Sequence, residues 1–390
     1  MNQNANQFMG YLRENGTVGV RNYVLILPTV VCANATARSI ASMVPGTTVV
    51  THQHGCAQLG ADFAQTQRTL IGLGKNPNVR SVLVVGLGCE NMEGETVAAS
   101  IATTGKRVEL ITIQKLGGTL KATELGVRIA SEMMRTKSAD LRVPVGIEKL
   151  TLALECGASD ATSGITANPA TGIAVDMLVE KGGSAILSET PEMIGAEHIL
   201  AKRCSSTGVK DDLYGIIGDA EKGISGMGVD IRGSNPTPGN IAGGLSSIEE
   251  KSLGCIYKAG VGTIMQVVRY AETPTEKGLV IMDTPGHDVE SMTGMAAGGA
   301  QVCVFTTGLG AVTGFPIMPV IKVCGNPWTS AFMSDNIDID AGQVLDGKAS
   351  LQQVAEQILC EVMEVSSGKA TKAESLGYAD IAINRIGPTT

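Results

Sequence analysis

Apolar runs alternate with amphipathic stretches along the first third of the chain. Four apolar runs predict strands: 23–32, 47–53, 79–89 and 107–113. The stretches between and after them have helical periodicity: 33–43, 57–74, 90–105 and 120–137. The run at 23–32 is continuously apolar, which is typical of a strand buried on both faces. Strands that alternate with helices predict a parallel, Rossmann-like sheet.

A second region with the same alternation follows a polar, proline-containing segment, 137–148, which predicts a linker. Its predicted strands are 150–156, 184–189, 278–286, 300–310 and 316–326, and its predicted helices are 168–183, 190–204, 246–260 and 350–365. At 390 residues the chain is long enough for two domains. The prediction is an α/β protein: a Rossmann-like parallel-sheet domain at 1–140, then a larger Gly-rich α/β domain at 149–390.

Composition narrows the class of protein. Hydrophobic residues make up 43% and charged residues 17%, which argues against disorder. A net charge of -8, no basic block and 3% aromatic residues argue against nucleic-acid binding. No apolar run reaches the length of a membrane span, and the polar start MNQNANQ lacks the apolar core of a signal peptide. We therefore expect a cytoplasmic protein.

Nine cysteines in a reducing compartment are expected to be buried thiols, metal ligands or redox groups rather than disulfides. Four of them stand at or just past the ends of predicted strands: Cys32, Cys56, Cys89 and Cys156. Ligands bind at that edge of a parallel sheet, and convergent thiolates there suit Fe²⁺ or a 4Fe-4S cluster. Packing thiols are the alternative, since free cysteine is often buried. The remaining five are assigned to packing: Cys204, Cys255, Cys303, Cys324 and Cys360.

Two of the four histidines lie in HQHGC, directly before Cys56. On a strand His52 and His54 would face opposite ways, so that one reaches the site while the other packs. The candidates for a general base are His54, His287 and Lys251, and the sequence does not choose among them. A lysine base would need its pKa lowered by burial or by a neighbouring cation.

Five loops dense in Gly and polar residues follow the strands of the second region: 156–172, 232–254, 283–294, 305–310 and 322–327. Each could be an ordinary turn. Together, however, their backbone amides favour an anionic substrate, a carboxylate or a sulfonate. The candidate substrate-binding residues on them are Ser159, Asp160, Asn168, Asn235, Asn240, Thr306, Thr307 and Asn326.

The motifs that carry these residues identify a family. GTVGVRNYVLILPTVVCAN, HQHGC, GLGCEN, ECGASDATSGITANPATG, SNPTPGNIAGGLSSIEEKSLG, DTPGHD and FTTGLG occur in order from about residue 10 to 330. Together they resemble the altronate and galactarate dehydratase family. Leu309 in FTTGLG replaces the basic residue of the family's usual FTTGRG, and CGASD replaces CGGSD.

The resemblance implies an iron-dependent lyase that eliminates a group from a small 2-hydroxy acid. Typical members carry a further small N-terminal domain, which a small partner subunit is expected to supply here, within an oligomer. A stand-alone large subunit of this length resembles a lyase that releases sulfite from a sulfonated 2-hydroxy acid. Leu309 puts the recognition of a sugar acid in doubt and favours another substrate. Two alternatives stay open: a sugar-acid dehydratase, and a non-catalytic scaffold subunit whose cysteines only pack.

Overall fold

A computed structural model describes residues 6–233 and 235–390, so most of the polar N-terminal stretch lies outside the described residues. The strands are β1 Gln7–Leu12, β2 Val18–Gly19, β3 Tyr23–Pro28, β4 Thr47–Val49, β5 Val79–Gly86, β6 Arg107–Thr112, β7 Val143–Gly146, β8 Thr151–Cys156, β9 Ser184–Leu187, β10 Ile264–Val268, β11 Leu279–Met282, β12 Val302–Thr307, β13 Val320–Cys324 and β14 Ile339–Asp340. The helices are α1 Asn34–Met43, α2 Gly60–Lys75, α3 Gly94–Ala102, α4 Thr119–Lys137, α5 Ala161–Ile165, α6 Ala167–Glu180, α7 Glu197–Ala201, α8 Thr207–Gly226, α9 Pro238–Ala242, α10 Ile248–Ile256, α11 Asp288–Ala297, α12 Pro327–Phe332, α13 Leu351–Ser366 and α14 Lys372–Ser375. The predicted α/β class is confirmed.

The first large sheet has the order β4-β3-β5-β6, and all its strands are parallel. Its two central strands, β3 and β5, are buried along almost their whole length, as their apolar runs predict. Helices α1 and α4 pack together on one face, and α2 and α3 on the other. The carboxyl ends of β3, β4 and β5 therefore open at one edge of the sheet.

A small antiparallel sheet of order β2-β1-β7 stands beside it. Strand β7 lies inside the segment predicted as a linker, and it pairs with β1 from Gln7–Gly146 to Gly10–Val143. The sequence of β7 includes Pro144, and its short polar surroundings hid the strand. A division of the chain into domains at 1–140 and 149–390 stays a prediction.

The second large sheet has the order β10-β11-β9-β8-β12-β13-β14, with every pairing parallel. One predicted helix in this region is wrong: 190–204 contains a 3-10 turn at Thr190–Met193 and then the short α7. Helix α8 was not predicted; only Leu213 and Ile217 along it are buried, so its apolar stripe is weak.

The two large sheets share one hydrophobic core, which contains residues of both β3 and β12. Helices α2 and α11 pack against each other between the sheets. The C-terminal segment fastens the first sheet from outside: Glu374 forms a two-pronged ion pair with Arg21 at 2.8 Å. Within the described ranges, no helix combines the length and the apolar character needed to cross a membrane.

Candidate functional site

Three loops at the carboxyl edge of the first sheet carry Cys32, Cys56 and Cys89, and all three thiols are exposed. The loops are hydrogen-bonded to one another. The amide of Val31 donates to the carbonyl of His54 at 2.9 Å, and the amide of Met92 donates to the carbonyl of Gly55 at 3.2 Å. The structure thus joins three positions that are distant in the sequence at one edge, which we call the thiol rim (the loops at 29–34, 50–57 and 86–92).

Two features fix the shape of the thiol rim. Gly55 has φ +101, and a Cβ at this position would lie 2.1 Å from the carbonyl oxygen of Thr29, so only glycine allows the loops to approach this closely. Glu90 accepts from the Thr29 hydroxyl at 2.8 Å and from the Leu87 amide at 2.9 Å. Although partial burial raises the pKa of Glu90, the amide of Gly88 and these donors lower it, so the carboxylate is charged and braces the loop of Cys89.

His52 and His54 differ in whether a ring nitrogen remains without a hydrogen-bond partner. His52 Nε2 lies 2.8 Å from the carbonyl of Pro28, and its Nδ1 accepts from the amide of His54 at 3.1 Å. Both ring nitrogens are therefore used, and burial lowers the pKa of His52 to about 4. His52 is a structural histidine.

His54 donates from Nε2 to the carbonyl of Ile383 at 3.1 Å, because a carbonyl can only accept. Its Nδ1 then carries a lone pair, and this atom is buried without a partner in the described part of the chain. Burial lowers the pKa of His54, which favours the neutral ring. The expectation that the two rings face opposite ways is wrong: β4 ends at Val49, and the rings stack with centroids 6.1 Å apart.

The start of α11 lies between the thiol rim and the second sheet. His287 is largely exposed, with Nδ1 3.8 Å from Glu290, and the charge of Glu290 also acts on His54. One residue further on, Asp288 packs against the other sheet: a Cβ on Gly157 would meet its Oδ2 at 2.4 Å. The segment 287–290 therefore contacts the second sheet and acts on His54 through the charge of Glu290.

Cys156 is separated from the other three cysteines by its environment. It ends β8 in the second sheet, is buried, and its Sγ lies 3.5 Å from Cys255 Sγ and 2.9 Å from both Lys258 Nζ and a carboxylate oxygen of Glu192. Its hydrogen bond with Cys255, together with burial, raises the pKa of the Cys156 thiol well above the ordinary value. Cys255, predicted only to pack, is thus part of a polar cluster.

Five charged or ionisable side chains surround Cys156, and we call them the buried ionic cluster (Glu155, Glu189, Glu192, Lys251 and Lys258). Lys258 Nζ is 2.6 Å from Glu189 Oε2, and Lys251 Nζ is 2.7 Å from Glu192 Oε1. Burial opposes ionisation of Glu192, but the two ammonium groups lower its pKa to about 2. Burial lowers the pKa of Lys251 and the Glu192 charge raises it, with a net rise, so Lys251 is held as a cation.

Two carboxyl groups of this cluster are less well neutralised. Burial, with the Glu192 charge, raises the pKa of Glu189 to about 7 even though Lys258 opposes the rise. Burial, with the Glu189 charge, raises the pKa of Glu155 well above its usual range. Glu189 also has φ +67, a left-handed conformation that is uncommon for a side-chain-bearing residue.

A cavity of about 210 Å³ opens beside the buried ionic cluster, and its lining includes Ser159, Asp160, Asn168, Lys251 and Cys255. Three of the predicted substrate-binding residues and one predicted base thus line a single space. Lys251 is positively charged in this cavity. A lysine held as a cation can bind an anionic ligand but cannot accept a proton as a base.

The five remaining predicted substrate-binding residues each make a hydrogen bond within the protein. Asn240 donates to the Ser159 carbonyl at 2.8 Å, and Thr306 donates to Asn168 at 2.6 Å. The others make the following contacts: Asn235 accepts from Lys251 at 3.1 Å, Thr307 accepts from the Gly310 amide at 3.0 Å, and Asn326 caps α12 by accepting from the Trp328 amide at 3.0 Å. None of these five residues lines the cavity, but Asn240, Thr306 and Asn235 contact Ser159, Asn168 and Lys251, which do.

Sequence reasoning missed the charged residues Glu155, Glu189, Glu192, Lys258 and Lys322. Glu155 and Lys322 interrupt apolar strands, which is a signal because a lone charge in a buried strand requires a reason. Lys322 is fully buried, lies 3.4 Å over the ring of Phe305, and its Nζ has no hydrogen-bond partner among the described residues. Burial lowers the pKa of Lys322 to about 8.

Two family models together match nearly the whole chain. Residues 10–138 match the family model described as D-galactarate dehydratase/altronate hydrolase, second domain. Residues 147–389 match the model described as D-galactarate/altronate dehydratase, C-terminal.

Three relatives align over almost the full chain. The (2R)-sulfolactate sulfo-lyase subunit beta of Chromohalobacter salexigens is 40% identical over 97% of this chain and 97% of its own length. The altronate dehydratase of Bacillus subtilis is 36% identical over 98% of this chain and 78% of its own length. The altronate dehydratase of Escherichia coli is 36% identical, over 97% of this chain and 78% of its own length.

Proposed function

This chain belongs to the D-galactarate/altronate dehydratase family and is a lyase, and from that premise we propose that it converts (2R)-sulfolactate to pyruvate and sulfite. The alignment with the sulfo-lyase subunit of Chromohalobacter salexigens covers 97% of that protein's own length, and that protein is named subunit beta. We therefore assign to this chain the role of large subunit, which works with a small partner subunit in a cytoplasmic oligomer.

The thiol rim is the proposed iron site, with Cys32, Cys56 and Cys89 as ligands. The support for this site is that the three thiols are exposed on loops hydrogen-bonded to one another, and thiolates are the ligands that iron centres of this kind use. The three sulfur atoms do not all lie within 4.8 Å of one another, so the loops must draw together when the metal binds. Cys156 is left out of the ligand set, because its thiol is buried and already lies between Glu192 and Lys258. When bound, iron with an open position supplies Lewis-acid stabilisation of a hydroxyl or carboxylate oxygen.

His54 is the proposed base. Its neutral ring has a buried Nδ1 with no hydrogen-bond partner among the described residues, two residues before Cys56, while Nε2 is fixed by the Ile383 carbonyl. It takes the proton from C2 of the substrate, the electron pair moves into a C2–C3 double bond, and the C3–S bond breaks to release sulfite. The enol that remains takes up a proton at C3, loses its hydroxyl proton and becomes pyruvate.

Three thiols on hydrogen-bonded loops are the observation that carries this proposal, and Cys89→Ser tests it. The variant, purified without air and together with the small subunit, is expected to lose its iron and at least about 100-fold in sulfite release, as expected when a metal ligand is lost. Cys360→Ser, which removes an exposed thiol on α13, is the matched control and should keep both. Full iron content and turnover in Cys89→Ser would overturn the proposed iron site.

Dehydration of a sugar acid is the second candidate function, because two of the relatives are altronate dehydratases. Keto-acid formation from altronate and galactarate, measured beside sulfite release from sulfolactate, separates the two. Leu309 favours sulfolactate, since it stands where the family's usual motif has a basic residue.

A further inference from the structure

Large apolar side chains that are exposed to solvent surround the cavity beside the buried ionic cluster. Ile165 is the last residue of α5, Leu253 lies in α10, and Tyr257 follows α10 directly, and all three line the cavity. Helices α5 and α10 pack closely, because a Cβ on Gly254 would lie 3.2 Å from the Cα atom of Gly164. These three apolar side chains are therefore held together at the cavity.

Two further helices bring exposed apolar side chains to the same place, since both contact Asp160, which lines the cavity. A Cβ on Gly243, directly after α9, would lie 2.8 Å from the Cβ atom of Asp160. Ile241 of α9 is exposed two residues earlier. Asn326, the N-cap of α12, donates to Asp160 Oδ2 at 3.4 Å. Helices α9 and α12 thus begin or end against the wall of the cavity.

Helix α12 presents two stacked aromatic rings to solvent. Trp328 and Phe332 lie one turn apart, with ring centroids separated by 4.8 Å, and they are 67% and 74% exposed. Exposed apolar clusters that contain aromatic residues are typical of surfaces that bind another protein. We call the six exposed residues around the cavity the apolar collar: Ile165, Ile241, Leu253, Tyr257, Trp328 and Phe332.

The relatives indicate which protein covers the apolar collar. The family model that begins at residue 10 is described as a second domain, so that a first domain precedes it in the family. The aligned region makes up 78% of each altronate dehydratase, which leaves about a fifth of their length outside it. The sulfo-lyase relative aligns over 97% of its own length and is named subunit beta, so a further subunit can carry the remaining domain.

We propose that the apolar collar is the docking surface for the small partner subunit, an inference that rests on the function proposed above. A protein bound to the collar lies over the cavity and excludes water from it. Exclusion of water strengthens the attraction between Lys251 and an anionic ligand, because the charges are less screened. Trp328 and Phe332 are the anchors of this interface, since buried aromatic residues supply much of the binding energy at such surfaces.

Trp328 reports on the collar directly, because it is the only tryptophan of the chain. The small subunit, with its own tryptophans replaced by phenylalanine, is titrated into the full chain, and quenching of Trp328 fluorescence by acrylamide is measured. We expect the emission to shift to shorter wavelength and the quenching constant to fall, because the ring leaves solvent. A Trp328 ring that stays equally open to acrylamide in the complex, or a small subunit that does not bind, would overturn the proposal.

Phe332→Ser and Ile165→Ser test two sides of the collar. Each should raise the Kd for the small subunit at least about tenfold, as expected when an anchor of an interface is removed. Leu120→Ser is the matched control, because it removes an exposed apolar side chain from α4 beside the first sheet, and it should change Kd by less than about twofold. Equal Kd values in Phe332→Ser and Leu120→Ser would contradict the docking surface.

A second copy of the chain is the competing occupant of the collar. If a rising concentration of the chain alone protects Trp328 from acrylamide, a second copy covers the collar and the proposal fails. Failure of the proposed function gives a different result. A complex that protects Trp328 but releases no sulfite from sulfolactate overturns the substrate and supports the docking surface, whereas a complex that releases sulfite with Trp328 still open overturns the docking surface alone.

Discussion

The two large parallel sheets use their carboxyl edges in opposite ways. The first ends in exposed thiols on loops held by backbone contacts, and the second ends in a buried set of carboxylates, ammonium groups and one thiol pair. Exposure leaves ligand atoms available to a soft metal, whereas burial fixes charges that position a neighbouring cavity. Two parallel sheets therefore have carboxyl edges of different chemistry, and the side chains that follow each strand decide which.

Lys258→Met is expected to give the largest effect, and it acts on the second edge. It leaves Glu189 without its ion pair in a fully buried place, so the free energy of unfolding should fall by about 3 to 5 kcal/mol. Urea denaturation measures it. Lys115→Met is the control, because its partner Glu95 and Lys115 itself are 58% and 68% exposed and the denaturation midpoint should not move. A midpoint that shifts equally in both variants would remove the contrast between buried and exposed pairs.

His54→Gln tests the first edge. It removes the proposed base, so kcat for sulfite release should fall at least about 100-fold, which corresponds to about 2.7 kcal/mol, with little change in Tm. His287→Gln is the comparison, since His287 is exposed and pairs only with Glu290 among the described residues. If His287→Gln loses activity while His54→Gln keeps it, the base has been misassigned.

Glu374→Gln breaks the connection between the first sheet and the C-terminal segment. Burial raises the pKa of Glu374, but the hydrogen bond and charge of Arg21 lower it by more. The pKa of Glu374 in the folded protein therefore lies below the ordinary value. The stabilisation is present above the ordinary pKa and is lost as pH falls through the lowered one. The variant should lose about 1 to 3 kcal/mol of unfolding free energy at neutral pH and less at acid pH. Thermal melts across pH 3 to 7, about the range of carboxylate titration, measure this, and a loss independent of pH contradicts it.

Leu309→Arg addresses substrate choice at the second edge and is expected to have the smallest effect. The amide of Leu309 donates to the carbonyl of Ala158 at 2.9 Å, next to the loop that lines the cavity. We expect the ratio of kcat/KM for sulfolactate to that for altronate to fall about tenfold. Leu345→Arg, at a residue of similar exposure elsewhere, should leave the ratio unchanged. An unchanged ratio in Leu309→Arg would remove this residue from substrate selection.

The sequence predicted the α/β class, the strands β3, β5, β8 and β12, and the family. Apolar runs bounded by glycine and polar residues determine such strands locally, because a strand buried on both faces needs a continuous apolar sequence. Weakly patterned elements were missed, as at β7, which has four residues and contains Pro144, and at α8, which buries only Leu213 and Ile217.

By itself the sequence determined that cysteines and polar loops follow the predicted strands of two α/β regions. Only the tertiary structure decided that Cys32, Cys56 and Cys89 are exposed on joined loops while Cys156 is enclosed with Lys258 and Glu192. The reason is physical: strand pairing and burial are set by contacts between residues far apart in the chain, here up to 102 positions for Cys156 and Lys258. Charge, protonation and metal affinity depend on those neighbours, and no local pattern contains them.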